Sequence, residues 1–255
     1  MIACMLPKLP SNNLIVSLTT GKDTIGKDAA LLLAVLNSFP ADYFARLKIS
    51  ENLLKNVLFE VPMPSSPEFL LAQTWPASNS SLADGTLSRI LELTYTAWDL
   101  APFAQDCGWS GPPFRWDEER RFLLRCELDA AFFHLYLPAE ASGDWRHAEG
   151  ETAEDLARLK ASFPTPREAV AYIMDTFPIV RRKDEQKFDG DYRTKRVILE
   201  IYDAMQGSVR TGQPYQTRLD PPPGPPAVSL PDWQPGHPRP YNWPPNIHPP
   251  RGHSW

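Results

Sequence analysis

Seven cationic side chains fall within sixteen positions of this chain: Arg181, Arg182, Lys183, Lys187, Arg193, Lys195 and Arg196. Four carboxylates, Asp184, Glu185, Asp189 and Asp191, share the interval, so its charge is seven minus four, or +3. The whole chain carries -5, and the remainder therefore sums to -8. A basic island on an acidic protein is the electrostatic footprint of a polyanion contact. These seven are the candidate DNA-binding residues. The opposite reading stays open: Asp184 and Glu185 directly follow Arg181, Arg182 and Lys183, and such a run can neutralise itself as an exposed ion network.

Other constellations carry less chemistry. Gly21-Lys-Asp-Thr-Ile-Gly26-Lys27-Asp28 sits between an expected strand and an expected helix, as a phosphate-cradling loop would. That loop needs a Ser or Thr hydroxyl after the lysine to hold magnesium, and Asp28 stands there instead. A carboxylate at that point repels phosphate, so the segment reads as a glycine-bearing loop with Asp28 as a helix N-cap. Adenine methyltransferases use an Asp/Asn-Pro-Pro-aromatic signature to grip and stack the flipped base. Asp220-Pro-Pro-Pro223 lacks the aromatic, Gly111-Pro-Pro-Phe114 lacks the polar residue, and Asn242-Trp-Pro-Pro245 has the wrong order. Glu185-Gln-Lys187 with Asp175 imitates a metal-nuclease pattern, but it lies in a charged, turn-prone segment. His134 falls among aromatics on an expected helix and reads as a packed, hydrogen-bonded residue. No catalytic residue and no metal ligand is assigned.

The elements that must position these residues are mainly helical. Leu14–Leu18 reads as a short strand, and 29–48 as a helix whose apolar stripe kinks or restarts at Pro40. A helix is expected from Thr86, and a short one with Pro102 in its first turn, stopping at Gly108. Asp117 caps a longer helix to about Tyr136, with Glu118 and Glu119 favoured by its dipole. Glu151–Lys160 reads as a charged surface helix. Thr165-Pro166-Arg167-Glu168 is a capping box that opens a helix to Thr176. The basic stretch follows, with Asp189-Gly190 as a turn. A last helix runs from about Tyr192 to Gln206, with Gly207 as its cap. Thirteen of the 28 prolines lie between Leu219 and Trp255, where no core can be built.

Three cysteines are too few for a disulfide framework, and Cys126 falls within an apolar helical pattern as a reduced core residue. There is no run of 18 apolar residues and no signal-like N-terminus, so a cytoplasmic protein without membrane contact is expected.

LLLAVLNSFPADYFARLKIS and VLFEVPMP resemble the target-recognition region of large adenine-specific DNA methyltransferases of the type IIG kind, found in restriction-modification and phage-defence systems. RILELTYTAWDLAPFAQDCGWSGPPFRWDEERRFLLRCELDAAFFHLY and FPTPREAVAYIMDTFPIVRRKDEQKFDGDYRTKRVILEIYDAM resemble the helical C-terminal part of the same proteins. The resemblance spans roughly Leu31 to Leu219. It implies double-stranded DNA as partner, and a methyltransferase core as a second partner on another chain. S-adenosylmethionine is the cofactor it implies for that missing catalytic part; none is expected in this chain. In the family the catalytic motifs precede the region seen here, so a DNA-recognition or scaffold fragment is expected, not a working enzyme.

The expected fold is mainly α with a small α/β N-terminal part, a helical bundle and a disordered Pro-rich C-terminal tail. Residues 1–64 form a partial target-recognition-like α/β segment, 65–85 a linker, 86–212 a helical domain and 213–255 the tail. The expected function is DNA recognition or scaffolding for an adenine-N6 methyltransferase. The alternatives are a helical interaction module that docks on a separate core, or the inert remnant of a disrupted gene. The chain alone should transfer no methyl group. Incubated with labelled S-adenosylmethionine and mixed-sequence DNA, it should bind no cofactor stoichiometrically, and label entering the DNA would refute this.

Overall fold

Residues 26–48, 75–76, 78–97, 100–147 and 150–223 are described in a computed structural model, and they build a helical bundle. The expected strand at Leu14–Leu18, the segment at 52–61 and the chain beyond 223 lie outside them. Among the described residues there is no strand; Ala139 and Trp145 form an isolated antiparallel bridge.

The first two helices come from one apolar stripe that breaks where Pro40 requires it. α1 spans Gly26–Leu36 and α2 spans Phe39–Lys48, with Pro40 in the first turn of the second. At the break, Ser38 Oγ donates to Val35 O (2.7 Å), and Asp129 Oδ1 accepts from Phe39 N (2.7 Å). A carboxylate from another helix thus adds to the local cap, in which Ser38 Oγ accepts from Ala41 N (3.4 Å). Asp28 falls inside the first turn of α1 rather than at its cap, where the dipole also favours it. Gly26 is required by packing: a Cβ there would collide with Asp106.

α3, Leu82–Thr94, starts four residues before the expected Thr86. Its cap is Ser81, whose hydroxyl accepts from Asp84 N (3.0 Å) while Asp84 bonds back to Ser81. Aspartate replaces the usual Glu of a capping box, and the surrounding turn formers hide the start. Residues 82–85, placed in the linker by sequence, therefore belong to a helix. α4 spans Ala101–Asp106 and ends before Gly108 at φ 87°.

α5, Glu118–Tyr136, is the central element, capped by Asp117 as its sequence demands. One side buries Leu128 and Phe132 with Ile90, Leu91, Tyr95, Phe103, Trp109 and Phe114. The other side buries Cys126, Ala130 and Phe133 with Val170, Met174, Phe177, Ile198, Ile201 and Met205. α1 and α2 pack into the same two clusters, through Leu33 and Ala34 in the first and Leu31 in the second.

Four further helices complete the bundle. α6, Ala153–Ser162, buries none of its residues, as expected of a surface helix. α7, Pro166–Asp175, opens with the Thr165–Glu168 capping box. The basic stretch, read from sequence as turn-prone, is itself a helix: α8, Pro178–Lys187. Asp189 (φ 51°) and Gly190 (φ 88°) make the turn into α9, Arg193–Thr211. Gly207 does not end α9. The buried stripe continues through Met205 to Ser208, and the helix stops one turn later at Gly212, in the left-handed conformation at φ 70°.

The core of the bundle holds two buried ion pairs. Arg89 clasps Glu127 through Nε (2.9 Å) and Nη2 (2.8 Å), lies 4.0 Å over the ring of Trp75, and donates to Gly85 O (2.8 Å). Gly85 is itself pressed against that indole, where a Cβ would not fit. Arg120 pairs with both oxygens of Glu92 and donates to Pro221 O (2.7 Å). The second oxygen of Glu127 accepts from Tyr215 OH (2.8 Å), Thr217 Oγ1 (2.6 Å) and Arg218 N (3.3 Å). Residues 213–223, assigned by sequence to the tail, are thereby strapped across α5, with Leu219 buried.

Removing residues 213–255 should cost much more than removing 224–255. The larger deletion takes three donors from a buried carboxylate, a loss of about 3 kcal/mol, or roughly 6–12 °C in Tm. Thermal melts of the two truncations check this, and equal midpoints would show that the strap contributes nothing.

Candidate nucleic-acid interface

All seven predicted cations lie on α8, on α9 or beside the turn that joins them. The support beneath α8 is unusual because α8 itself buries no residue. Its start is fixed by Phe177, which is buried, meets Phe39 edge-on at 4.7 Å and lies under Arg46 at 4.6 Å. Its far end is fixed by Asp184, whose Oδ2 accepts from Thr194 N (2.6 Å) in the first turn of α9. Tyr192 OH donates to Met174 O (2.8 Å) and ties the turn to α7. α8 is a helix carried at both ends with its middle turned to solvent.

Most of the predicted cations are engaged by the protein. Arg181 pairs with Glu185 one turn on (2.7 Å). Arg193 pairs with Glu119 and lies over two rings, Phe122 at 4.3 Å and Phe188 at 4.7 Å. Lys195 reaches Asp175 (2.6 Å). Arg196 is held between Asp191 (2.6 Å) and Glu200 (3.0 Å), and Glu200 also binds Arg218 (2.8 Å). The bond to Asp191, then that to Glu200, pushes the Arg196 pKa up. Arg196 in turn draws the Asp191 carboxyl below its usual range. Lys187 Nζ stands 5.3 Å over the Phe188 ring. Arg182 and Lys183 are exposed and form no ion pair among the described residues.

The cluster thus divides into two parts. Arg193, Lys195 and Arg196 fasten α9 to α5, to α7 and to the turn before it. Arg182 and Lys183, with the 56% exposed Ile179 one turn earlier, form the outward stripe of α8. Their charge, with that of Lys187, which is exposed and has no ion-pair partner among the described residues, is the part available to a polyanion.

Other sequence candidates do not converge. Glu185 is on Arg181 and Asp175 is on Lys195, so no nuclease-like pocket forms with Lys187. Among the described residues no group of three or more His, Cys, Asp or Glu side chains could hold a metal ion. Of the P-loop-like segment only Gly26, Lys27 and Asp28 are described, and they open α1. His134 is packed and hydrogen-bonded as expected: Nε2 is 3.1 Å from Tyr202 O, and the two rings stack at 3.9 Å. Burial pushes both described thiols up, Cys107 to about 11 and Cys126 well above its normal value, so neither is poised as a nucleophile. Sequence reasoning passed over Arg120, Arg121 and Arg125 on α5, because Asp117, Glu118 and Glu119 precede them and cancel their charge. It also missed the buried Asp129.

Asp129 and His134 give stability opposite pH dependences. Burial raises Asp129 to about 7 against the pull of the Phe39 N–H and Arg125, with Asp42 adding to the rise. Its folded pKa exceeds the unfolded one, so its contribution is complete below about 4 and is lost as pH rises through 7. Burial lowers His134 to about 4. Its contribution is complete above the unfolded pKa near 6.5 and is lost as pH falls through 4. Asp129→Asn keeps an oxygen for Phe39 N and cannot ionise. In urea titrations at pH 4, 6 and 8 it should gain stability over wild type as pH rises. A constant offset between the two proteins would sink this account. No protein-family model, curated protein or solved structure matches this chain, so any functional assignment stands on its own residues.

Proposed function

We propose that these residues are a DNA-engaging scaffold portion of an adenine-N6 DNA methyltransferase system of the restriction-modification or phage-defence type, with the methyl-transfer chemistry supplied by a catalytic core outside them. The segments that resemble such proteins are the ones that build the bundle: α1 and α2, then α3 to α5, then α7 to α9. A helical C-terminal part is the expected form of that region in the family.

One observation carries the DNA contact: α8 buries none of its own residues, is braced at both ends, and presents Arg182 and Lys183 unpaired. A rigid helix with free cations suits the positioning of phosphates, which fixes register without reading sequence. Base readout is not assigned to any residue.

A different observation favours the interaction module as second reading. Arg181, Arg193, Lys195 and Arg196 are already neutralised inside the fold, and Ile179 places an apolar side chain in the outward stripe of α8. An exposed apolar side chain beside the cations also suits a protein partner.

A salt titration separates the two. Duplex affinity, followed by fluorescence anisotropy, should fall steeply with salt. Arg182→Gln with Lys183→Gln should flatten the slope of log affinity against log salt by about two, close to one per neutralised phosphate. The fold should hold, since neither side chain has a partner to lose. The interaction reading expects no duplex binding even at low salt, and capture of a methyltransferase core supplied separately.

A further inference from the structure

Arg121 is the one described arginine or lysine whose pKa falls, to about 10, and the first cause is burial; the neighbouring positive charge of Arg125 adds to it. Glu118 and Glu92 oppose the fall, but both are occupied. Glu118 accepts from Trp116 Nε1 (2.7 Å), and Arg120 holds both oxygens of Glu92. The Arg121 guanidinium carbon lies 3.8 Å over the Trp116 ring. None of its nitrogens meets an acceptor among the described residues, and Nη1 is closed off from water as well. One turn along α5, Arg125 is exposed and makes no hydrogen bond or ion pair there. Two like charges at i and i+4 repel and destabilise a helix. Leaving the donors of a half-buried guanidinium unmet costs more still. Trp116, Glu118 and Glu92 offset part of the cost at Arg121, and Asp129 attracts Arg125, but neither arginine has the directly bonded carboxylate that Arg89, Arg120, Arg193 and Arg196 all have.

We infer that Arg121 and Arg125 form a phosphodiester site on the first turns of α5, a second point of attachment for the DNA backbone besides Arg182 and Lys183. The inference rests on the DNA-engaging reading above. With Nη1 shut away from solvent, the guanidinium of Arg121 is left with its Nε and Nη2 donors, an edge that a phosphate's paired oxygens suit. Position supports the pairing of the two points. Phe122, next in the chain after Arg121, lies under Arg193, which also covers Phe188 at the end of α8. Both sets of free cations are therefore carried on elements joined at this end of the bundle, and one duplex could span them.

The test uses the full chain and a mixed-sequence duplex. Anisotropy is read across salt for wild type, Arg125→Gln, and Arg121→Gln with Arg125→Gln. The single variant should flatten the salt slope by about one and the double by about two, with affinity near 50 mM salt falling roughly tenfold for each cation replaced. Arg125 is exposed, so its variant keeps the test valid if the double variant folds poorly. In a parallel arm, the Nε–Hε signal of Arg121 is followed by NMR during titration with the duplex and with inorganic phosphate. It should move with the duplex. Wild type that ignores the duplex overturns this inference and the DNA reading together. Wild type that binds while Arg125→Gln keeps its slope overturns this inference alone. An Arg121 signal that answers only inorganic phosphate places a small-anion site here and defeats the DNA assignment.

Discussion

Glu127 sits in the middle of α5 with no exposed surface, and the arrangement of the bundle follows from what that carboxylate requires. An ionised group so placed loses its hydration and must be bonded at every lone pair. Arg89 takes one oxygen, which fixes α3 against α5. Tyr215, Thr217 and the Arg218 amide take the other, which draws the chain after α9 back across the bundle. Arg89 in turn needs Trp75 above it and Gly85 beneath that ring. Such a pair need not add net stability over an apolar substitute, but removing any member strands a buried charge. It therefore enforces one arrangement of α3, α5 and the strap.

The legible part of the sequence is the part written in local chemistry. Asp117 and the Thr165–Glu168 box cap α5 and α7 where their side chains accept from the nearest amides, and Pro40 restarts the first helix pair. The illegible part depends on distance. Glu127 and Asp129 look like surface charges until residues about ninety positions away are seen to bond them. The strap reads as tail because its composition is that of a linker, and its anchoring lies in one remote carboxylate. α8 has no apolar period at all, so nothing in its pattern separates a helix from a charged loop. The end of α9 is ambiguous in sequence because Gly207 and Gly212 both suit a cap, and only the burial of Ser208 chooses between them.

The same distinction governs the candidate interface. A count of charges treats the seven cations alike, whereas their partners divide them. Arg193, Lys195 and Arg196 act as fasteners between helices. Arg182 and Lys183 face outward, and Arg121 and Arg125 on α5 lie outside the basic island altogether. A cationic surface is set by which carboxylates the fold leaves over, and the linear density of lysine and arginine reports that poorly.

A helix that rests only on its two ends has a consequence for how such a protein can change. Substitutions along the middle of α8 disturb no packed neighbour, and changes at such surface positions usually shift stability by less than about 0.5 kcal/mol. Ile179, Arg182, Lys183 and Gln186 can thus be exchanged almost independently of the bundle. The braces at Phe177, Asp184 and Tyr192 cannot. The architecture concentrates mutational freedom on one exposed rail and keeps its alignment fixed, so a lineage could retune what the rail touches without having to refold what carries it.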